Sequence, residues 1–163
     1  MAASFAPTSA HLRLGAFTGT WEGEERVAAS AWTKEGIATA RLTAECLFGG
    51  FFVEQRYVQT RDGETSFEAR NILGFDGVDQ AYKLYQFDTV GFTPASPASG
   101  EWVEDRLVLT KVSPRGAQRT LFQFENEDCY RMGVQFSPVG SDTWQEVVSG
   151  VYRRIASASS NLS

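Results

Sequence analysis

The chain has one histidine, His11, among 163 residues. Any Ser-His-Asp or Cys-His arrangement would have to be built on that residue, near the N-terminal edge, so triad-type catalysis finds little support. Cysteine is almost as scarce, with only Cys46 and Cys129, far apart and without metal-ligand spacing. They read as small buried hydrophobes in a reducing, cytoplasmic compartment. Basic residues are outnumbered, 15 Lys and Arg against 20 Asp and Glu, for a net charge of −5. That balance lacks the basic footprint that nucleic acid or an anionic membrane requires of a partner. No apolar stretch reaches transmembrane length, and the first ten residues lack the basic and apolar regions of a secretory signal. With only one helix expected, no glycine-rich phosphate loop opens a second one.

Aromatic residues are abundant: 12 Phe, 5 Tyr and 4 Trp, within a hydrophobic content of 42%. Such rings pack well on the pleated surface of strands. The length suits one domain with a full core, needing neither metal nor disulfide. A short helix is expected over 10–17, capped by Thr8 or Ser9 and ended near Gly19. About ten strands follow, at 20–30, 37–48, 51–60, 66–75, 82–88, 100–103, 106–112, 119–125, 130–137 and 144–153. Turn residues separate them, among them Gly49-Gly50, Asp62-Gly63, Asp76-Gly77 and Pro114-Arg115-Gly116. Hairpin turns make sequential strands antiparallel neighbours, and a meander of this length closes rather than leave two long edges. The fold expected is therefore all-β: a closed antiparallel up-and-down barrel with one short N-terminal helix. The domain spans 9–154, between flexible ends at 1–8 and 155–163. The loop at 90–99, with Pro94 and Pro97, is a candidate lid at the barrel mouth.

Alternation assigns the faces. In the second strand Ala38, Ala40, Leu42, Ala44, Cys46 and Phe48 share the inward face. Three small alanines there under-fill a barrel of this circumference, and the space they leave is the physical case for a ligand cavity. Gln55, Tyr57 and Asn71 form its expected polar lining. Leu42, Phe122, Phe124, Tyr130 and Met132 supply the apolar wall. Trp102 is placed near the mouth beside the 90–99 loop. The fifth strand has no purely apolar face and stays unoriented, with Tyr85 taken into the ligand-binding set. Glu54, Arg56, Glu68 and Arg70 read as an exterior ladder of charges across two strands. In the reversed register, Arg56 and Arg70 would enter the lumen and suit a ligand carboxylate.

Three motifs in order carry a resemblance: Gly19-Thr20-Trp21-Glu22-Gly23-Glu24, then Leu47 to Glu54 running into Tyr57, then Ile72-Leu73-Gly74-Phe75-Asp76 leading to Tyr82. With Gly100-Glu101-Trp102 and Val151-Tyr152-Arg153-Arg154, the chain resembles the DUF1579 family, a bacterial family of unknown function with a lipocalin-like look within the calycin barrels. The resemblance implies a hollow barrel opened by a short helix and implies no catalytic residues. In lipocalin-like barrels a first-strand Trp packs near a last-strand Arg, which here implies Trp21 against Arg153 or Arg154. The opening motif is also similar to that of the nitrobindins, barrels holding haem through a histidine near the C-terminal end. The last strand here has no histidine, and no haem or other cofactor is expected.

The leading function is binding of a small apolar or amphipathic molecule in the lumen, without catalysis, metal or cofactor. One alternative is a barrel enzyme acting on a small lipophilic substrate, which requires a buried carboxylate beside a tyrosine. The other is a structural protein that self-associates, as a homodimer for example, with its lumen filled by side chains.

Overall fold

The computed structural model describes residues 5–31 and 33–155. Most of the two segments expected to be flexible, 1–8 and 155–163, lies outside the described residues. Helix α1 (Ser9–Leu12) continues as a 3-10 turn (Arg13–Phe17). Ten strands follow: β1 (Gly19–Val27), β2 (Gly36–Leu47), β3 (Phe52–Arg61), β4 (Glu64–Asp76), β5 (Ala81–Asp88), β6 (Ala98–Val103), β7 (Arg106–Ser113), β8 (Gly116–Asn126), β9 (Cys129–Pro138) and β10 (Gln145–Arg154). Each strand pairs antiparallel with the next, and β10 returns to β1 to close the barrel. Closure leaves no free edge, which is what a long hairpin meander needs for solubility.

The two-residue period places the core. Along β2, Ala38, Ala40, Leu42 and Ala44 are buried while Ile37, Thr39, Arg41 and Thr43 are exposed. The alternation stops at Ala44. Cys46 and Phe48, expected on the same inward face, are exposed, because the end of β2 runs past the packed interior. Cys129 is buried as expected. The outer face carries the charge ladder: Glu54 meets Arg56 at 3.5 Å and Arg70 at 3.7 Å. Both arginines therefore stay out of the bore.

One end of the barrel is closed by the N-terminal segment. Leu14 and Phe17 are fully buried in it. The Trp21 indole N–H donates to the Phe17 carbonyl at 3.0 Å, so burying the ring strands no donor. Of the two arginines considered for Trp21, Arg154 takes the place, 4.2 Å above the ring. It also donates to the Thr18 carbonyl and pairs with Asp128, tying the last strand to the plug. Phe17 meets Phe122 and Phe124 edge-on at 4.9 and 5.1 Å, and Tyr130 meets Trp21 at 4.8 Å.

This plug limits how far the alanines leave space. Ala40 and Ala44 share one packed cluster with Leu14, Phe17 and Trp21, so this half of the bore is filled. The opposite half differs. Inward positions there, Phe67, Gln86, Met132, Val134, Phe136 and Val148, are only half-buried. Trp102 also needs relocating. It stands at the plugged end, where Arg13 stacks on its ring at 4.5 Å, because β6 runs away from the mouth. The loop at 89–97 lies at the other end, where Arg115 covers Phe92 at 4.3 Å. Beside that loop, β5 and β6 pair over only three residues, Tyr82 to Leu84.

Candidate functional site

Between plug and mouth, the bore contains a cluster of polar side chains. On β1 the inward phase runs Trp21, Gly23, Glu25, and Glu25 is fully buried. Burying a carboxyl without partners is costly, so the donors around it must be accounted for. Three converge. The Tyr57 hydroxyl donates to Oε1 at 2.5 Å and the Gln59 amide donates to the same oxygen at 2.9 Å. The Tyr152 hydroxyl donates to Oε2. Glu25 sits opposite Ala38 across one seam and Gly150 across the other, so small residues flank it on both sides.

Glycine makes this arrangement possible. A Cβ at Gly150 would stand 2.7 Å from the Tyr152 hydroxyl and 3.0 Å from Cγ of Glu25. A Cβ at Gly23 would stand 2.7 Å from the Tyr152 ring. Both glycines leave room that Tyr152 and Glu25 occupy.

A second set lies one inward step along β3. The Gln55 amide donates to the Tyr130 hydroxyl at 3.3 Å, and the Asn71 amide donates to Gln55 Oε1 at 2.9 Å. Asn71 Oδ1 is buried with no partner among the described residues. Buried acceptors are rarely left this way.

The phenols stay protonated. Burial first, then the charge and hydrogen bond of Glu25, push the Tyr57 hydroxyl far above its ordinary value. Burial dominates at Tyr152 too, with Glu25 adding to it. Tyr130 is pushed up by burial against a lowering by the Gln55 hydrogen bond. All three remain neutral, and at Tyr57 and Tyr152 the phenol is a hydrogen-bond donor at neutral pH.

The sequence-derived residues separate into three groups. Gln55, Tyr57, Asn71 and Tyr130 come together in the bore, with the sulfur of half-buried Met132 3.9 Å from the Tyr152 hydroxyl. Leu42, Phe122, Phe124 and Trp102 pack at or beside the plug. Tyr85 stands on the outer wall, 42% exposed, because β5 turns Tyr82 and Leu84 inward instead. Glu25, Gln59 and Tyr152 were missed. The signal for Glu25 was its even spacing from Trp21, which fixes its face. His11 lies outside the bore, where Nδ1 accepts the Thr8 backbone N–H at 3.0 Å and the ring abuts Phe51 and Phe75. Among the described residues no three His, Cys, Asp or Glu side chains gather as metal ligands would.

Two surface concavities lie outside the bore. A groove of about 290 Å³ at the plugged end is bordered by Arg13, Trp102, Asp105 and Glu125. A smaller one, about 140 Å³, lies on the outer wall between Thr43, Glu45, Glu54 and Arg56. No helix among the described residues is long and apolar enough to cross a membrane.

The family described as "Protein of unknown function (DUF1579)" matches residues 6–154. No curated protein matches the chain. Among solved structures, the barrel is similar to Rv2717c from M. tuberculosis, with a TM-score of 0.69 at 15% identity over 91% of this chain and 99% of that one. It is also similar to the S-type phycobiliprotein lyase CPES from Guillardia theta, with a TM-score of 0.66 at 11% identity over 92% and 94% of the two chains. At these identities the likeness is one of fold.

Proposed function

The chain belongs to the DUF1579 family, and from that premise we propose that it binds one small, mostly apolar molecule in the mouth half of its barrel. The observation that carries this reading is the pairing of half-buried inward side chains toward the mouth with a buried polar cluster at Glu25 beneath them. A pocket with apolar walls and a few convergent polar groups is the usual form of a small-molecule site. That a barrel of this fold bears the name phycobiliprotein lyase supports a chemical role over a scaffolding one. Two free thiols, Cys46 and Cys129, fit a reducing, cytoplasmic setting.

The test is titration with a neutral fluorescent probe such as N-phenyl-1-naphthylamine, followed by displacement with long-chain alcohols. Saturation at one site per chain is expected, with loss of binding in Ala38→Phe, which adds bulk opposite Glu25. Non-saturable binding, or binding unchanged in Ala38→Phe, would overturn the reading.

A catalytic variant has one observation in its favour, the buried carboxylate beside two neutral phenols. It makes Glu25 a proton acceptor toward a bound substrate. Glu25→Gln would then abolish turnover while a substrate analogue still bound.

A further inference from the structure

The chemistry of the bore narrows what its guest carries. Glu25 is fully buried, and its three donors, two phenols and a primary amide, are all neutral. Among the described residues no Lys or Arg lies within ion-pair distance of it. A buried carboxylate without a counter-charge is an uncommon arrangement, since buried charges are normally paired. The acceptor in the bore left without a donor among the described residues is Oδ1 of Asn71, a residue 8% exposed. The two acceptors hang from successive inward positions of β3, Glu25 bonded to Tyr57 and Asn71 bonded to Gln55. Such positions are about 7 Å apart along a strand. Glu25 and Asn71 thus belong to neighbouring parts of one lining.

The arginines that could recognise an anionic head are committed elsewhere, and Lys111, on the inward phase of β7 with Leu107 and Leu109, stands nearer the mouth. Arg56 and Arg70 sit on the outer wall with Glu54, and Arg154 is committed to Trp21 and Asp128. A carboxylate head entering the bore would approach Glu25 as a like charge.

We infer that the guest carries a cationic, hydrogen-bond-donating nitrogen head, a protonated amine on an apolar body, recognised by the Glu25 carboxylate with the Asn71 carbonyl as its second acceptor. This rests on the lumen-binding reading above. The ammonium supplies the counter-charge that Glu25 lacks, and its N–H groups meet Asn71 Oδ1, which has no donor among the described residues, beside a carboxylate already held by three neutral donors. The net charge of −5 favours the approach of a cation.

The test is displacement of the same neutral probe by four twelve-carbon compounds at neutral pH: dodecylamine, dodecanol, dodecanoate and dodecyltrimethylammonium. Dodecylamine is expected to bind about tenfold or more tighter than dodecanol, the scale of a charge-assisted hydrogen bond in a buried site. Dodecanoate should bind weakest, and dodecyltrimethylammonium, with charge but no N–H, should fall between amine and alcohol. Glu25→Gln should close the gap between amine and alcohol. Should that variant fail to fold, Glu25→Asp and the ranking in the native chain carry the test. Dodecanoate binding as well as the amine, or an amine preference untouched in Glu25→Gln, overturns the inference and leaves lumen binding standing. If no compound displaces the probe, dodecanol included, the lumen reading itself falls and this inference with it.

Discussion

The plugged end and the middle of the bore solve burial in opposite ways. At the plug, Leu14, Phe17, Trp21 and Phe122 pack as rings and aliphatic chains; the Trp21 N–H is satisfied by the Phe17 carbonyl and the Tyr82 hydroxyl by the Ala10 carbonyl, while the buried Trp102 N–H has no partner among the described residues. A few residues away on the same strand, Glu25 is just as deeply buried, but inside a network of phenols and amides. The plug maximises apolar burial, which stabilises the barrel. The middle gives up apolar area to hold a carboxyl, which by itself is a poor way to gain stability. The contrast teaches that the plug and the middle of one barrel are under different demands. The plug holds the cylinder closed, and the middle holds a buried polar network.

The largest effect that would break this comparison is at Trp21. Trp21→Ala removes a fully buried ring and should destabilise the fold by about 3–5 kcal/mol, read as a fall in the urea or thermal midpoint. In the middle of the bore, Tyr152→Phe keeps the ring and removes one donor to Glu25, a loss of about 1–3 kcal/mol. If Tyr152→Phe cost as much as Trp21→Ala, the division between a structural end and a polar middle would collapse.

Alkaline titration sharpens the same contrast. Tyr57, Tyr130 and Tyr152 all have folded-state hydroxyls pushed upward, chiefly by burial. An unfolded phenol releases its proton near pH 10, about where a free tyrosine titrates. Above that pH the unfolded chain binds fewer protons than the folded one, so stability falls as pH rises. The contribution is present in full below about pH 10 and is lost above it. Unfolding midpoints followed from pH 8 to 11 should decline only in the upper part of the range, and Tyr130→Phe should flatten the decline. The smallest effect belongs to the outer wall. Glu54→Gln breaks contacts to the half-exposed Arg56 and Arg70 and should change stability by under about 1 kcal/mol in equilibrium unfolding.

The barrel was legible in the sequence because its physics is local. Period-two alternation in β2, β3 and β9, with Gly and Asp at the reversals, specifies strands, neighbours and faces, and closure follows from the number of hairpins. Gln55, Tyr57 and Asn71 were placed correctly in the bore by the same alternation. What stayed hidden was not local. Glu25 is a charged residue among charged neighbours, Glu22, Glu24 and Arg26, and charge suggests the surface. Only pairing β1 with both β2 and β10 sets it opposite Ala38 and Gly150, with Tyr57 and Tyr152 within reach. Filling of the plugged half was hidden for a similar reason. Ala40 and Ala44 under-fill their own strand, but the residues that fill that space, Leu14 and Phe17, come from the N-terminal segment. Tyr85 failed because β5 has polar residues on both faces, so its orientation depends on Tyr82 and Leu84 being drawn into the core.

The most direct measurement is an NMR titration of methyl-labelled protein with N-phenyl-1-naphthylamine. Saturable shifts are expected at Ala38, Ala69 and Met132 in the mouth half, with Leu14 and Leu107 at the plugged end unmoved. Shifts confined to outer-wall methyls such as Ile37 and Val112, or spread evenly without saturation, would contradict it.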